Sequence, residues 1–325
     1  MRAISNLWKV TKSGVYHFQL CSASINAARL VFNTKLKRLH KDRTAKLEDV
    51  AVFEYLKKEA AVMVADRVAD VKRSLPLTLD LGCGRGFISE ELSQLDGVDM
   101  LIQGDTSNGY LLNSCTSVLD TQSITFGEEN LPFRDETFDM VLTSMSLHWV
   151  NDLPACFKEV LRVLKPDGCF IGMMLGADSL FELRCSLQLA ELEREGGMAP
   201  HVSPMIQGHQ LANLMYNAGF TLVTLDFDQL VVNYPSMFEV MYDLKGMAEN
   251  NCAINIKPMH RDTILAASGI YQSMYGDLEK NSVPCTYQML FMIGWKAHES
   301  QPKPLDPGAV PKGLNDCQKS FSSQH

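Results

Sequence analysis

No apolar run in this chain approaches the roughly 20 residues that a membrane-spanning helix needs. No CxxC pair occurs among its nine cysteines, Cys21, Cys83, Cys115, Cys156, Cys169, Cys185, Cys252, Cys285 and Cys317. The first absence points to a protein that is soluble or peripheral to a membrane. The second argues against a zinc site and against a secreted disulfide framework, so the thiols read as reduced and mostly structural. Acid is missing from the first 41 residues, which hold eight of the 30 Lys and Arg side chains and no Asp or Glu. The remainder sets 22 basic groups against all 38 acidic ones. So acidic a body argues against sequence-independent binding to phosphates, and no nucleic-acid partner is expected.

The acid-free segment has its own character. Arg2, Lys9, Lys12 and Arg29 alternate with Ser5, Thr11, Ser13, Ser22 and Ser24, and its apolar stretch is too broken for a secretory signal. A basic, serine-rich, acid-poor leader is the mark of mitochondrial import. Residues 1–35 are therefore expected to be a transit peptide, residues 36–298 the folded domain, and residues 299–325 a disordered tail rich in Pro, Ser and Gln.

Within the domain, strands and helices alternate. Residues 53–71 carry Leu56, Ala60, Met63, Val64, Val68 and Val71 at helical spacing. That face is expected to cover a sheet rather than to touch a membrane. Strands are predicted at 77–81, 100–103, 123–126, 138–144 and 169–175, with helices at 87–95 and after Asn151-Asp152. Lys165-Pro166-Asp167-Gly168 stops the latter helix. This is the pattern of an α/β, Rossmann-like, doubly wound sheet. Helical insertions are predicted at about 178–218 and 236–280, with strand at 221–227 and 230–233 and a last strand at 287–296.

The strongest local signal is Asp80-Leu81-Gly82-Cys83-Gly84-Arg85-Gly86, between a strand and a helix. Glycine there lets the chain turn tightly and lets a ligand approach the backbone. The spacing is GxGxG. The dinucleotide fingerprint requires GxGxxG, and Phe87 breaks it. A turn without the pyrophosphate spacing, preceded by an acid, suits a ligand that carries an ammonium and no phosphate. S-adenosylmethionine is such a ligand. Asp105 ends the second strand, where a carboxylate can accept from ribose hydroxyls. Glu128, Glu129 and Leu131 follow the third strand, where an adenine edge would lie, and Ser146-Leu147-His148-Trp149 closes the fourth. The expected cofactor-binding residues are Asp80, Gly82, Cys83, Gly84, Gly86, Asp105, Glu128, Glu129, Leu131 and His148.

At Asp80–Gly86, Asp105, Leu131-Pro132-Phe133, Leu147-His148-Trp149 and Leu164-Lys165-Pro166-Asp167-Gly168 the chain resembles the class I methyltransferase family, including the enzymes that methylate malonyl carrier protein. Leu36-Lys37-Arg38, Glu182-Leu183-Arg184, Glu193-Arg194-Glu195-Gly196-Gly197, Pro200-His201-Val202-Ser203-Pro204, Asn233-Tyr234-Pro235 and Ile293-Gly294-Trp295-Lys296 resemble the mitochondrial arginine-hydroxylase family of respiratory complex I assembly factors. That similarity spans residues 31–300 and is most specific over 193–204. It implies a seven-stranded class I methyltransferase fold, bound S-adenosylmethionine and hydroxylation of an arginine in a complex I subunit. It also implies other assembly factors as partners and a peripheral place on the matrix side of the inner membrane. Where the family carries an acid to meet the adenine amino group, this chain has Gly127, which leaves two readings: Glu128 substitutes, or adenine recognition is weaker.

The residues themselves do not spell out the reaction. An oxygen-activating iron centre uses two His and one carboxylate. His260, Asp262 and His298 have that spelling, but Asp262 reads as a helix N-terminal acid and His260 as a loop residue, so no metal is expected. Glu191, Glu193 and Glu195 lead into a glycine pair, and Glu193 with Glu195 could hold a guanidinium. His148 and His201 are further polar candidates, and Tyr234 has no evident role. Two other functions remain open: a true methyltransferase acting on a protein or carrier-bound substrate, and a non-catalytic assembly chaperone.

Overall fold

The computed structural model describes residues 30–302, except residue 116, residues 255–257 and residue 278. Seven strands form one sheet: β1 (Leu77–Leu81), β2 (Met100–Asp105), β3 (Asp120–Thr125), β4 (Phe138–Ser144), β5 (Leu164–Leu175), β6 (Phe220–Tyr234) and β7 (Val283–Lys296). Their order is β3-β2-β1-β4-β5-β7-β6. The first five run parallel, and β7 lies antiparallel between β5 and β6. Chain order reverses between β1 and β4, so a crevice opens at their C-terminal ends.

Alternate residues of the strands feed two cores. Leu79, Leu81 and Val141 join Phe157 and Val160 of α5 (Leu153–Val163) and Leu211 and Met215 of α7 (Gly208–Ala218) on one face. Leu101, Met140 and Leu142 join Leu56, Ala60 and Val64 of α2 (Tyr55–Ala69) on the other. Side chains buried on both faces explain why these strands read as apolar runs rather than as alternating ones. The α2 face covers the sheet, as its spacing predicts. α5 also begins as the sequence implies, with Asp152 accepting from the Ala155 N–H at 3.0 Å and Pro154 in the first turn.

Three helices of the two predicted insertions form one cap, whereas α7, predicted within the first insertion, packs on the opposite face with α5. α6 (Phe181–Glu195), α8 (Met237–Gly246) and α9 (Arg261–Tyr275) bring Leu183, Leu187, Leu244, Ala267 and Tyr271 into the same core as α2. The predicted strands at 221–227 and 230–233 are one strand, because β6 keeps its register with β7 through Asp228 opposite Met289. β5 starts at Leu164, five residues before the predicted start; the lysine-to-glycine turn is a kink within the strand, with Asp167 at φ +62°.

Three further helices frame the crevice: α1 (Thr34–Thr44), α3 (Phe87–Leu92) and α4 (Asn108–Leu112). α1 has no apolar stripe to reveal it. The face it buries is Lys37, His40, Lys41 and Thr44.

The described residues reach beyond both ends of the predicted folded domain. Residues 1–29 of the expected leader and residues 303–325 of the expected tail lie outside the described residues. Residues 31–33, placed in the leader, are tied to the body. The N–H groups of Val31 and Phe32 both donate to Asn151 Oδ1, and Phe32 packs edge-on against Trp149. Residues 299–302, placed in the tail, are held through Gln301, which bonds Thr221, Asp167 and the Lys296 carbonyl. Among the described residues no helix is long and apolar enough to cross a membrane.

Candidate cofactor site

The glycine turn follows β1 and enters α3. Gly82, Gly84 and Gly86 all take positive φ, at +72°, +59° and +80°. At Gly82 a Cβ would lie 2.2 Å from Ser146 Oγ, so both its conformation and its surroundings demand glycine. The N–H groups of Gly82 and Cys83 donate to the Gly104 carbonyl at 2.8 and 3.0 Å, which pins the turn to β2.

Asp80 lies at the root of this turn and is fully buried. Among the described residues neither of its carboxylate oxygens has a hydrogen-bond partner. Burial, and then the nearby charge of Asp105, push its carboxyl up to about 8. An unpaired buried carboxyl is costly unless a donor or cation meets it. This orphaned acid therefore fits the ammonium end of S-adenosylmethionine, and the open backbone at Gly84 leaves room for its approach.

Asp105 is well provided with donors. Its oxygens accept from the Ser107 N–H at 2.7 Å and the Gly84 N–H at 3.1 Å. They also accept from Lys41 Nζ at 3.1 and 2.9 Å. Both partners of that ion pair are buried, and the Asp105 carboxylate lifts the ammonium of Lys41 above the usual lysine range against the opposing cost of burial. Lys41 thus occupies the acceptor face of the carboxylate that the sequence reading assigns to ribose hydroxyls. The cavity left between α1 and the glycine turn is about 30 Å³, room for a water or two. Lys41, Gly82, Cys83, Tyr110, Met145 and Glu249 are among its walls. A larger cavity of about 150 Å³ lies beside Val68, Leu95 and Val98, before β2 rather than at the strand ends.

The other expected cofactor residues divide. Glu128 Oε1 accepts from Ser146 Oγ at 2.7 Å and faces Gly82. Gly127 has open space around it, with only the Thr106 methyl within 4 Å of a built Cβ. Glu129 is turned the other way and accepts from the N–H groups of Asn151 and Asp152 at 2.9 and 3.1 Å, supporting the start of α5. Leu131 is fully buried in the core, with its N–H on Glu159 and its carbonyl on Arg162. Cys83 is half-buried and burial drives its thiol well up, so it lines the site without being a nucleophile. His148 lies behind the cavity, with Nε2 at 2.9 Å from Glu249 Oε2 and burial holding its pKa down.

The remaining candidates are not gathered at the turn. Glu193 is exposed on the last turn of α6, and Glu195 accepts from Thr263 Oγ1 of α9 at 2.7 Å. His201 pairs with Glu191 at 3.1 Å. His260 caps α9, Asp262 sits in its first turn, and His298 bonds Ser300. Among the described residues, no three His, Cys, Asp or Glu side chains are grouped closely enough to hold a metal. Tyr234 gains a place: its hydroxyl donates to Asp243 at 2.8 Å, beside those of Tyr55 and Tyr287.

Sequence reading missed Lys37, Lys41 and Glu249, which come from two distant segments and meet only in the fold. The one signal was Leu36-Lys37-Arg38, inside a family-like stretch.

Strand order, glycine turn and acid at the end of β2 together define a Rossmann-like class I methyltransferase fold. A family model described as "Methyltransferase domain" matches residues 79–172. The YcgJ protein of Bacillus subtilis shares the fold, with a TM-score of 0.52 at 15% identity over 73% of this chain and 99% of that one. Beyond the methyltransferase segment, the chain is 48% identical over 320 residues to the mitochondrial arginine-hydroxylase NDUFAF5 of Danio rerio, covering 98% of this chain and 95% of that protein. It is 49% identical over 290 residues to the Homo sapiens protein of the same name, covering 89% and 84%. The chain belongs to the NDUFAF5 arginine-hydroxylase family.

Proposed function

We propose that this protein binds S-adenosylmethionine at the β1–β4 crevice and hydroxylates an arginine side chain of a complex I subunit, as a mitochondrial assembly factor. The observation that carries the cofactor assignment is the buried, partnerless carboxyl of Asp80 at the centre of the glycine turn. The arginine reaction rests on full-length likeness to proteins named for it. S-adenosylmethionine, when bound, supplies a sulfonium centre whose methyl group is electrophilic but no oxygen to transfer, so the hydroxylation would draw on dioxygen and a two-electron reductant, one oxygen atom entering the arginine and the other leaving as water. Asp80 would hold its ammonium, Asp105 its ribose, and Glu128 the adenine edge, while Leu131, buried in the core, only backs that edge. α1 would shield the site from water. The place proposed is the matrix side of the inner membrane, peripherally attached, with the target subunit and other assembly factors as partners and residues before Phe32 serving as the import leader.

Two measurements test this reading. Mass spectrometry of an arginine-containing subunit peptide after reaction should show the gain of one oxygen atom; gain of one methylene would mean methyl transfer instead. Complementation of a complex I assembly defect by Asp80→Ala and Asp105→Ala variants should fail. Full rescue would favour a chaperone that merely keeps the fold.

A further inference from the structure

Glu249 faces the cleft from the turn after α8, and its carboxylate is buried. One oxygen is fixed by two ring donors: Oε2 accepts from Trp149 Nε1 at 2.6 Å and lies 2.9 Å from His148 Nε2. The other oxygen is left for a cation, and Lys37 of α1 takes it, with Nζ at 3.2 Å from Oε1. The same ammonium donates to the Ala248 carbonyl at 2.6 Å and sits 3.9 Å from the centroid of the Trp149 ring. A carboxylate oxygen, a carbonyl and an indole face therefore converge on one cation, next to the wall of the cofactor cavity.

We infer that this box is the binding site for the substrate's guanidinium, with Lys37 as the chain's own stand-in. The assignment rests on the arginine reading above and locates it. Two acceptors side by side suit two N–H groups of a guanidinium better than one ammonium, and a planar guanidinium stacks on an indole. Lys37 is also a poor resident: burial outweighs Glu249 and lowers its ammonium to about 8. Glu249 shares the small cavity's wall with Gly82, Cys83 and Gly84, so a guanidinium on its carboxylate would lie on the cofactor side of the box.

The test is calorimetric titration of the full chain with ethylguanidinium, compared with butylammonium. Lys37→Met should bind ethylguanidinium about ten-fold more tightly than the unaltered protein, and favour it over butylammonium. The double variant Lys37→Met/Glu249→Gln, which leaves no lone buried charge, should lose that gain. No gain in a folded Lys37→Met protein, or a gain that survives Glu249→Gln, overturns the inference. Should Lys37→Met not fold, brief acetylation of the unaltered protein decides: saturating ethylguanidinium should expose Lys37 to the reagent, and unchanged protection overturns the site. Product mass separates this from the reaction itself. Probe binding as expected without oxygen gain would sink the hydroxylase reading and keep the box; equal oxygen gain by Glu249→Gln would do the reverse.

Discussion

Lys41 Nζ bonds both carboxylate oxygens of Asp105, at 3.1 and 2.9 Å, inside the crevice where a nucleoside would lie. On the proposed reading, an adenosine-bearing ligand and this ion pair would compete for one carboxylate. Lys41→Met should therefore bind S-adenosylmethionine about ten-fold more tightly, whereas Asp105→Ala should lose at least that much. Titration calorimetry reads both. Weaker binding by Lys41→Met would show that the lysine serves the ligand instead of displacing it.

Asp80 gives a pH dependence with a definite sign. Its carboxyl is raised from 3.8 to about 8, so the folded chain holds that proton more tightly than the unfolded chain. The stability it contributes is full below about pH 4 and is lost as pH climbs through about 8. Asp80→Asn should flatten that loss in melting curves of the ligand-free protein. A cation beside Asp80 favours its ionised form. Binding of S-adenosylmethionine near pH 7 should then release protons, seen as a dependence of the binding heat on buffer, and Asp80→Asn should remove that part of it.

The glycines of the turn are not equivalent. Gly82→Ala meets Ser146 Oγ and a positive φ together, and should cost about 2–3 kcal/mol and abolish cofactor binding. Gly84→Ala meets open space and only the φ of +59°, and should cost about 1 kcal/mol. Chemical denaturation of both variants checks the difference.

Tyr234 and Tyr55 both donate to Asp243. Tyr234→Phe leaves Asp243 one hydroxyl and should cost about 1–2 kcal/mol; Asp243→Asn should cost less than Asp243→Ala, because the amide oxygen keeps an acceptor. Melting temperatures of the variants provide the comparison.

The parts of the fold that sequence revealed are those with short-range grammar. β1, β2, β4 and α5 announce themselves through apolar runs, capping residues and a helix stop, and Asp80–Gly86 through its spacing. α1 was hidden because a lysine face is its buried face, which inverts the usual rule that burial is apolar. The orientations of Glu129 and His148 were not legible: position near a strand end is, but the direction a side chain takes depends on partners such as Asn151 and Glu249. Those partners are 22 and 101 residues away.

Lys37 and Lys41 stand one helical turn apart on α1, each seated on a separate carboxylate. A rigid helix cannot easily withdraw one of them and leave the other in place. If α1 moves as one body when a ligand takes Asp105, Glu249 is unloaded with it, and thermodynamic reciprocity then requires that filling either site eases filling of the other. Titration of either ligand should then tighten binding of the other by the same factor, and a Lys37→Met/Lys41→Met protein should bind the two independently.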